Sequence, residues 1–141
     1  MHTDPSKTLY LKFSNSLEDI GQLGEKIEEW GKQQSIPVKI TSGMTLMLDE
    51  LVTNVVMHGY GEGAEGCIEV SLTIQDGIVT AILRDWATAF DPLSRAQADT
   101  ALAIDDREIG GLGIHFVRNI ADEFSYRRDG DANEICLKKK V

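Results

Sequence analysis

The chain is poor in cross-linking and metal-binding side chains, with two cysteines and three histidines in 141 residues. Cys67 and Cys136 each lie inside a strand-like run, with no CxxC and no His or Cys at metal-ligand spacing. A disulfide scaffold and a structural zinc site are therefore excluded, and buried thiols are expected. Basic residues are also short: 14 Lys and Arg stand against 23 Asp and Glu, a formal charge of −9. Such a field repels nucleic-acid backbones and anionic membranes, so neither is expected as a partner. No apolar run approaches the ~18 residues of a membrane span, and the first eleven residues lack the apolar core of a secretion signal. The expected location is the cytoplasm.

What is present is ordinary for a globular protein. Hydrophobic residues make up 42% and charged residues 26% of the chain, enough for one core spanning residues 1–141 as a single domain. The acidic balance does not exclude a nucleotide, because a bound cation and the free N–H groups of a helix N-terminus supply positive potential locally.

Leu9, Leu11 and Phe13 alternate with Tyr10 and Lys12, the period of a strand with one buried face. Leu17, Ile20, Leu23, Ile27 and Trp30 then recur at helical spacing from a capping pair, Ser16 and Asp19, predicting a first helix that ends near Gly31. After Pro37, a wide apolar stripe through Met44, Met47, Leu48, Leu51, Val52, Val55 and Val56 predicts a second helix, ending near Gly59 and Gly61. Cys67 to Ile74 and Ile78 to Arg84 flank Gln75, Asp76 and Gly77 and predict a hairpin. A polar stretch from Leu93 to Glu108 has no clean period and reads as a mobile loop of the length used for lids. Gly110, Gly111 and Gly113 open a third helix, carried by Ile114, Val117 and Ile120. Phe124 to Arg128 and Glu134 to Lys140 predict a second hairpin, with residues 129–133 as its linker. The elements fit an α+β, two-layer sandwich: a mixed, mainly antiparallel sheet with helices on one face.

Three segments offer chemistry. Glu50, Asn54 and His58 are spaced four apart, which places them on one helix face opposite the apolar stripe. An amide oxygen there suits Mg²⁺ and a carboxylate can take a proton, although a solvated polar face has the same spacing. Gly110-Gly111-Leu112-Gly113 before a helix allows backbone to approach a phosphate, or merely a tight turn. It is neither GxGxxG after a strand nor a P-loop with a GKS or GKT ending. Asp85, ending an apolar strand in Arg84-Asp85-Trp86-Ala87-Thr88-Ala89-Phe90-Asp91-Pro92, can accept from an exocyclic amine or simply form a turn.

In this order the segments resemble the ATP-binding domain shared by gyrase, heat-shock chaperone, histidine-kinase and mismatch-repair ATPases, the GHKL superfamily with its Bergerat-type fold. The stretch from Asp49 to Tyr60 resembles the N-box in the form found in serine kinases that inhibit sigma factors. The resemblance implies that Asn54 binds the Mg²⁺ of Mg-ATP and that Glu50 is the general base. The Asp85 segment resembles the first glycine box and makes Asp85 the adenine contact, with Ala87 and Phe90 lining the nucleotide. Gly110, Gly111, Leu112, Gly113 and Ile114 match the second glycine box, and residues 93–108 become the ATP lid, with Arg107 a phosphate contact within it. His58 implies a packing role. Two positions depart from the pattern: Ala87 replaces a glycine, and the last strand is entered through Asn133 and Glu134 where several relatives carry a threonine near the adenine.

The function implied is an ATP-dependent protein serine kinase and anti-sigma factor that phosphorylates a small antagonist protein in a partner-switching system. The partners implied are a sigma factor, that antagonist and a second copy of the chain. The departures at Ala87 and Glu134 keep a second reading open, a nucleotide-dependent protein-binding module without turnover.

Overall fold

The computed structural model describes residues 8–14, 20–56, 66–89, 91 and 116–141. In chain order the elements are β1 (Thr8–Ser14), α1 (Leu23–Gln33), α2 (Val38–Asn54), β2 (Cys67–Gln75), β3 (Ile78–Asp85), β4 (Glu123–Asp129) and β5 (Ala132–Lys140), with a helical turn at 116–120 before β4. The strands form one five-stranded sheet ordered β1-β2-β3-β5-β4.

Every pairing among the described strands is antiparallel, the character expected for most of a mixed, mainly antiparallel sheet. The physical reason is the position of β5. β3 and β4 run in the same direction, but β5 inserts between them and hydrogen-bonds to both, so the parallel neighbours never touch. Two tight turns set the register. Asp76 and Gly77, at φ 53° and 75°, give β2 and β3 a turn with two left-handed residues, which suits the right-handed twist of the strands. Gly130 at φ 61° starts the corresponding two-residue turn between β4 and β5, where Asp129 pairs with Ala132. The linker expected over 129–133 is therefore shorter, and Asn133 belongs to β5.

Strand alternation sorts the sheet into two faces. On one, the rows Leu9-Leu72-Ala81-Leu137-Phe124 and Leu11-Val70-Leu83-Ile135-Tyr126 cross all five strands and join the core. Ile20, Leu23, Ile27 and Trp30 from the first helical region and Met44, Met47, Leu48, Leu51 and Val52 from α2 complete that core. The other face carries a row of alternating charge: Lys12, Glu69, Arg84, Glu134 and Arg127. Arg127 Nε lies 2.8 Å from Glu134 Oε1, and Arg84 Nη2 lies 3.0 Å from Asp129 Oδ2. Cys67 and Cys136 sit on this second face and are half-buried, not enclosed as expected, because their strand positions are in phase with Glu69 and Glu134. Partial burial raises the proton affinity of the Cys136 thiol.

The helices differ from their expected bounds. α1 continues to Gln33, two residues past Gly31. Its proposed cap at Ser16 lies outside the described residues. α2 starts directly after Pro37, whose extended backbone forms the N-cap, and regular α-helix ends at Asn54 in a wider π turn at 55–56. The segment from Met57 to Gly61, where the second helix was expected to end, lies outside the described residues, as do the residues 93–108 and 110–114.

Candidate nucleotide site

Asp85 closes β3 in a third row, Phe13-Ile68-Asp85-Asn133-Arg128, on the same face as the core. Apolar side chains fill this face at β1 and β2, and then three polar residues take their place. Asp85 is 3% exposed and Asn133 4%, so their polar atoms need partners within the protein.

Those partners are specific. Asp85 Oδ1 accepts from the Ala87 N–H at 3.0 Å and from Asn133 Nδ2 at 2.9 Å. Asn133 Nδ2 also faces the carbonyls of Ala87 at 3.3 Å and Thr88 at 3.1 Å. Asn133 Oδ1 accepts from Tyr126 OH at 2.6 Å and from Arg128 Nη1 at 3.2 Å. These neighbours of Nδ2 are acceptors and these neighbours of Oδ1 are able to donate, which fixes the orientation of the amide. Arg128 reaches further, from Nη1 to the Ala87 carbonyl at 2.9 Å and from Nε to the Gly130 carbonyl at 3.0 Å, so it ties the β4–β5 turn to the segment after Asp85. Among the described residues no donor reaches Asp85 Oδ2.

Ala87 itself is buried at 5% exposure and is not among the described residues with positive φ. Its methyl group is accommodated without backbone strain, and a glycine is not required there. Glu134 lies on the opposite face of β5, paired with Arg127 and Arg84. The residue of the last strand that faces Asp85 is Asn133. Periodicity placed Asn133 in a linker, and the family resemblance set the entry of the last strand at Asn133 and Glu134 near the adenine without giving Asn133 a role; Tyr126 and Arg128 were not singled out. The available signal was phase: Asn133 is in step with Ile135 and Leu137, so a polar residue stands where the strand otherwise points into the core.

The second group lies on α2. Asn54 is 6% exposed, and its Nδ2 is buried without a hydrogen-bond partner among the described residues. It therefore shares the buried side of the helix with Met47 and Leu51, a correction to the expected polar face opposite the apolar stripe. Position 54 follows Met47 by seven residues, nearly two full turns, so the two side chains point the same way. Glu50, one turn earlier, is half-buried, and loss of hydration, then repulsion from Asp49, raises its proton affinity. A half-buried carboxylate with raised proton affinity is the kind of group that can accept a proton from a reacting hydroxyl.

The orphaned Asn54 amide fits a cation-and-phosphate ligand, since its oxygen can bind Mg²⁺ while Nδ2 is left as a donor to an anionic oxygen. Among the described residues no group of three or more His, Cys, Asp or Glu could hold a metal ion by itself, so phosphate oxygens would have to share the coordination. His58, Phe90, Arg107, Gly110, Gly111, Leu112, Gly113 and Ile114 lie outside the described residues.

The chain is similar to several known proteins. The serine/threonine-protein kinase BtrW of Bordetella bronchiseptica is 32% identical over 94 residues, 67% of this chain and 66% of that one. The anti-sigma F factor of Priestia megaterium is 31% identical over 78 residues, so the match spans about half (53%) of that protein's length. The anti-sigma F factor of Geobacillus thermodenitrificans matches at 24% identity over 94% of this chain and 92% of its own length. The crystal structure of the RsbU and RsbW domains of Rv1364c from Mycobacterium tuberculosis shares the fold at TM-score 0.68 and 16% identity, over 94% of this chain and 32% of that one. The SiaB-SiaC complex of Pseudomonas aeruginosa does so at TM-score 0.60 and 18% identity, over 96% of this chain and 92% of the matched chain. The histidine kinase-like ATPase domain model matches residues 13–139, nearly the whole chain, and the chain belongs to that family.

Proposed function

We propose that this chain is an ATP-dependent protein serine kinase that acts as an anti-sigma factor, phosphorylating a serine of a small antagonist protein. The observation that carries the reading is that a buried carboxylate, Asp85 at the end of β3, occurs together with a buried amide, Asn54 on α2, whose Nδ2 has no partner among the described residues. Relatives named anti-sigma F factor and serine/threonine-protein kinase support it.

In this reading Asp85 Oδ2 accepts from the exocyclic amine of adenine, and the glycine box at residues 110–114 surrounds the phosphates. Mg²⁺, when bound, neutralises phosphate charge, and Asn54 supplies its protein ligand. Glu50 takes the proton from the acceptor serine. The serine oxygen forms a bond to the γ-phosphorus, the β–γ bridging bond breaks, and ADP leaves with the electron pair. Positioning and charge stabilisation supply most of the rate, as in other phosphoryl transfers.

The partners in this proposal are the antagonist, a sigma factor released or held according to the antagonist's phosphorylation, and a second copy of the chain. The site of action is the cytoplasm; no helix among the described residues is long and apolar enough to cross a membrane. The alternative, a binding module without turnover, rested on Ala87 and Glu134. An unstrained Ala87 and an outward Glu134 remove that ground for the alternative.

Calorimetry of Mg-ATP and Mg-ADP with wild type and Asp85→Asn tests the site, and transfer of label from γ-labelled ATP to candidate antagonist proteins tests the reaction. Micromolar or tighter binding that is lost in Asp85→Asn is expected. Tight binding by the variant overturns the assignment of Asp85.

A further inference from the structure

We infer that Asn133 is the positioning residue that sets the base preference of the nucleotide site. This rests on the reading of Asp85 as the base acceptor.

A carboxylate is a poor discriminator when it can rotate, because either oxygen can accept and a bound water can mediate for a base that lacks a donor. Asp85 is denied that freedom. Its Oδ1 is held by the Ala87 N–H at 3.0 Å and by Asn133 Nδ2 at 2.9 Å, and those two donors fix the plane of the carboxylate. Among the described residues only Oδ2 is left without a donor, so they present one acceptor in one direction. A purine with an amino group at C6 satisfies it; a purine with an oxo group there puts acceptor against acceptor. Leaving a buried carboxylate oxygen unpaired is expensive enough to reject the second class.

Asn133 can perform this role because it is itself held. Tyr126 OH donates to its Oδ1 at 2.6 Å and Arg128 Nη1 at 3.2 Å, while Nδ2 also faces the carbonyls of Ala87 and Thr88. Its backbone pairs directly with Asp85 across β3 and β5. The amide therefore bridges three segments: the end of β3, the turn after it and the β4–β5 hairpin. Glutamate or aspartate in its place offers no donor to Oδ1, and an aliphatic residue offers neither donor nor acceptor.

The test compares Mg-ADP with Mg-IDP, which differ at the purine C6 group, by calorimetry on the full chain, with thermal melting measured beside it. Wild type is expected to prefer ADP. Asn133→Asp keeps the size and the oxygen facing Tyr126 and Arg128 but loses the donor. It is expected to lower ADP affinity at least about tenfold, the scale of a charge-assisted hydrogen bond, and to bring the ADP-to-IDP ratio toward one. A general loosening of the fold weakens both nucleotides and leaves the ratio alone. If Asn133→Asp does not fold, the pair Asn133→Ser and Asn133→Ala decides: the hydroxyl donor of serine is expected to keep the preference and alanine to lose it. Wild-type affinity and preference in Asn133→Asp, or equal preference in the serine and alanine variants, overturns the inference while leaving Asp85 in place. Undiminished ADP binding by Asp85→Asn overturns both.

Discussion

Gly31 of α1 packs directly on the side chain of Thr41 of α2, with no room for a β-carbon between them. One heptad earlier, a β-carbon on Gly24 would stand 2.9 Å from Thr45 Cγ2, so the two helices meet along a seam of small residues. The threonines are held in turn: Thr41 Oγ1 donates to the Val38 carbonyl at 3.1 Å and Thr45 Oγ1 to the Thr41 carbonyl at 2.9 Å. This seam positions α2, and with it Glu50 and Asn54.

Gly31→Ala is therefore expected to destabilise the fold, although alanine is the better helix former. Overpacking typically costs about 1–3 kcal/mol, which exceeds the roughly 1 kcal/mol of helix propensity gained. Chemical denaturation reads the difference, and a variant as stable as wild type would show that the seam yields.

Asn54→Leu separates function from stability. Burying an unpaired amide costs about 1–3 kcal/mol, and leucine removes the group while filling similar space. The variant is expected to melt no lower than wild type and to lose Mg²⁺-dependent nucleotide binding. A lower melting temperature, with nucleotide binding kept, would place Asn54 in a purely structural role.

Glu50→Gln is expected to bind Mg-ATP like wild type and to lose phosphoryl transfer by about 10²–10⁴-fold, the range of general-base catalysis. Its stability has a predictable pH dependence. Burial raises the proton affinity of Glu50 above its ordinary value of 4.5, so the folded state holds the proton more tightly than the unfolded chain. Wild-type stability therefore falls as the pH rises from that value through the folded one. The glutamine variant lacks this loss, so it is expected to be the more stable protein at pH 8, with the gap closing toward pH 4.5, as melting curves across that range would show.

Asp122 works in the opposite sense. Its carboxylate accepts from the Lys140 N–H at 2.7 Å and lies near Lys139, whose Nζ donates to the Ile120 carbonyl at 3.0 Å. The Lys140 hydrogen bond lowers its proton affinity below the ordinary value of 3.8; burial, the next effect in size, opposes it, and the charges of Lys139 and Lys140 add to the lowering. Its contribution is complete above that value and is lost as the pH falls through the lower folded one. Asp122→Asn is expected to be less stable than wild type at pH 7 and indistinguishable from it once both are fully acidified, by melting at each pH.

Strand and helix identity were legible because they depend on local periodicity. The alternation of Leu9, Leu11 and Phe13 and the stripe from Met44 to Val52 appear in the structure as β1 and α2. Asp-Gly at 76–77 marked a hairpin for the same reason: only a few residues accept the left-handed backbone the turn needs. Asp85 was legible as a carboxylate at the end of an apolar strand. Asn133 was not, since a five-residue polar run reads as a loop until the register of β4 and β5 reduces the turn to Gly130 and Asp131.

The sequence by itself determined the elements, the acidic surface and the order of motifs that marks the family, because each is written in neighbouring residues. Tertiary structure alone decided that β5 separates β3 from β4, that Glu134 turns outward to Arg127, and that Asn133 faces Asp85, 48 positions earlier in the chain. It also decided that Asn54 is enclosed with the core and not displayed on a polar face. Such relationships join residues distant in sequence, and only the pairing of whole strands and the packing of whole helices brings their side chains within hydrogen-bond reach.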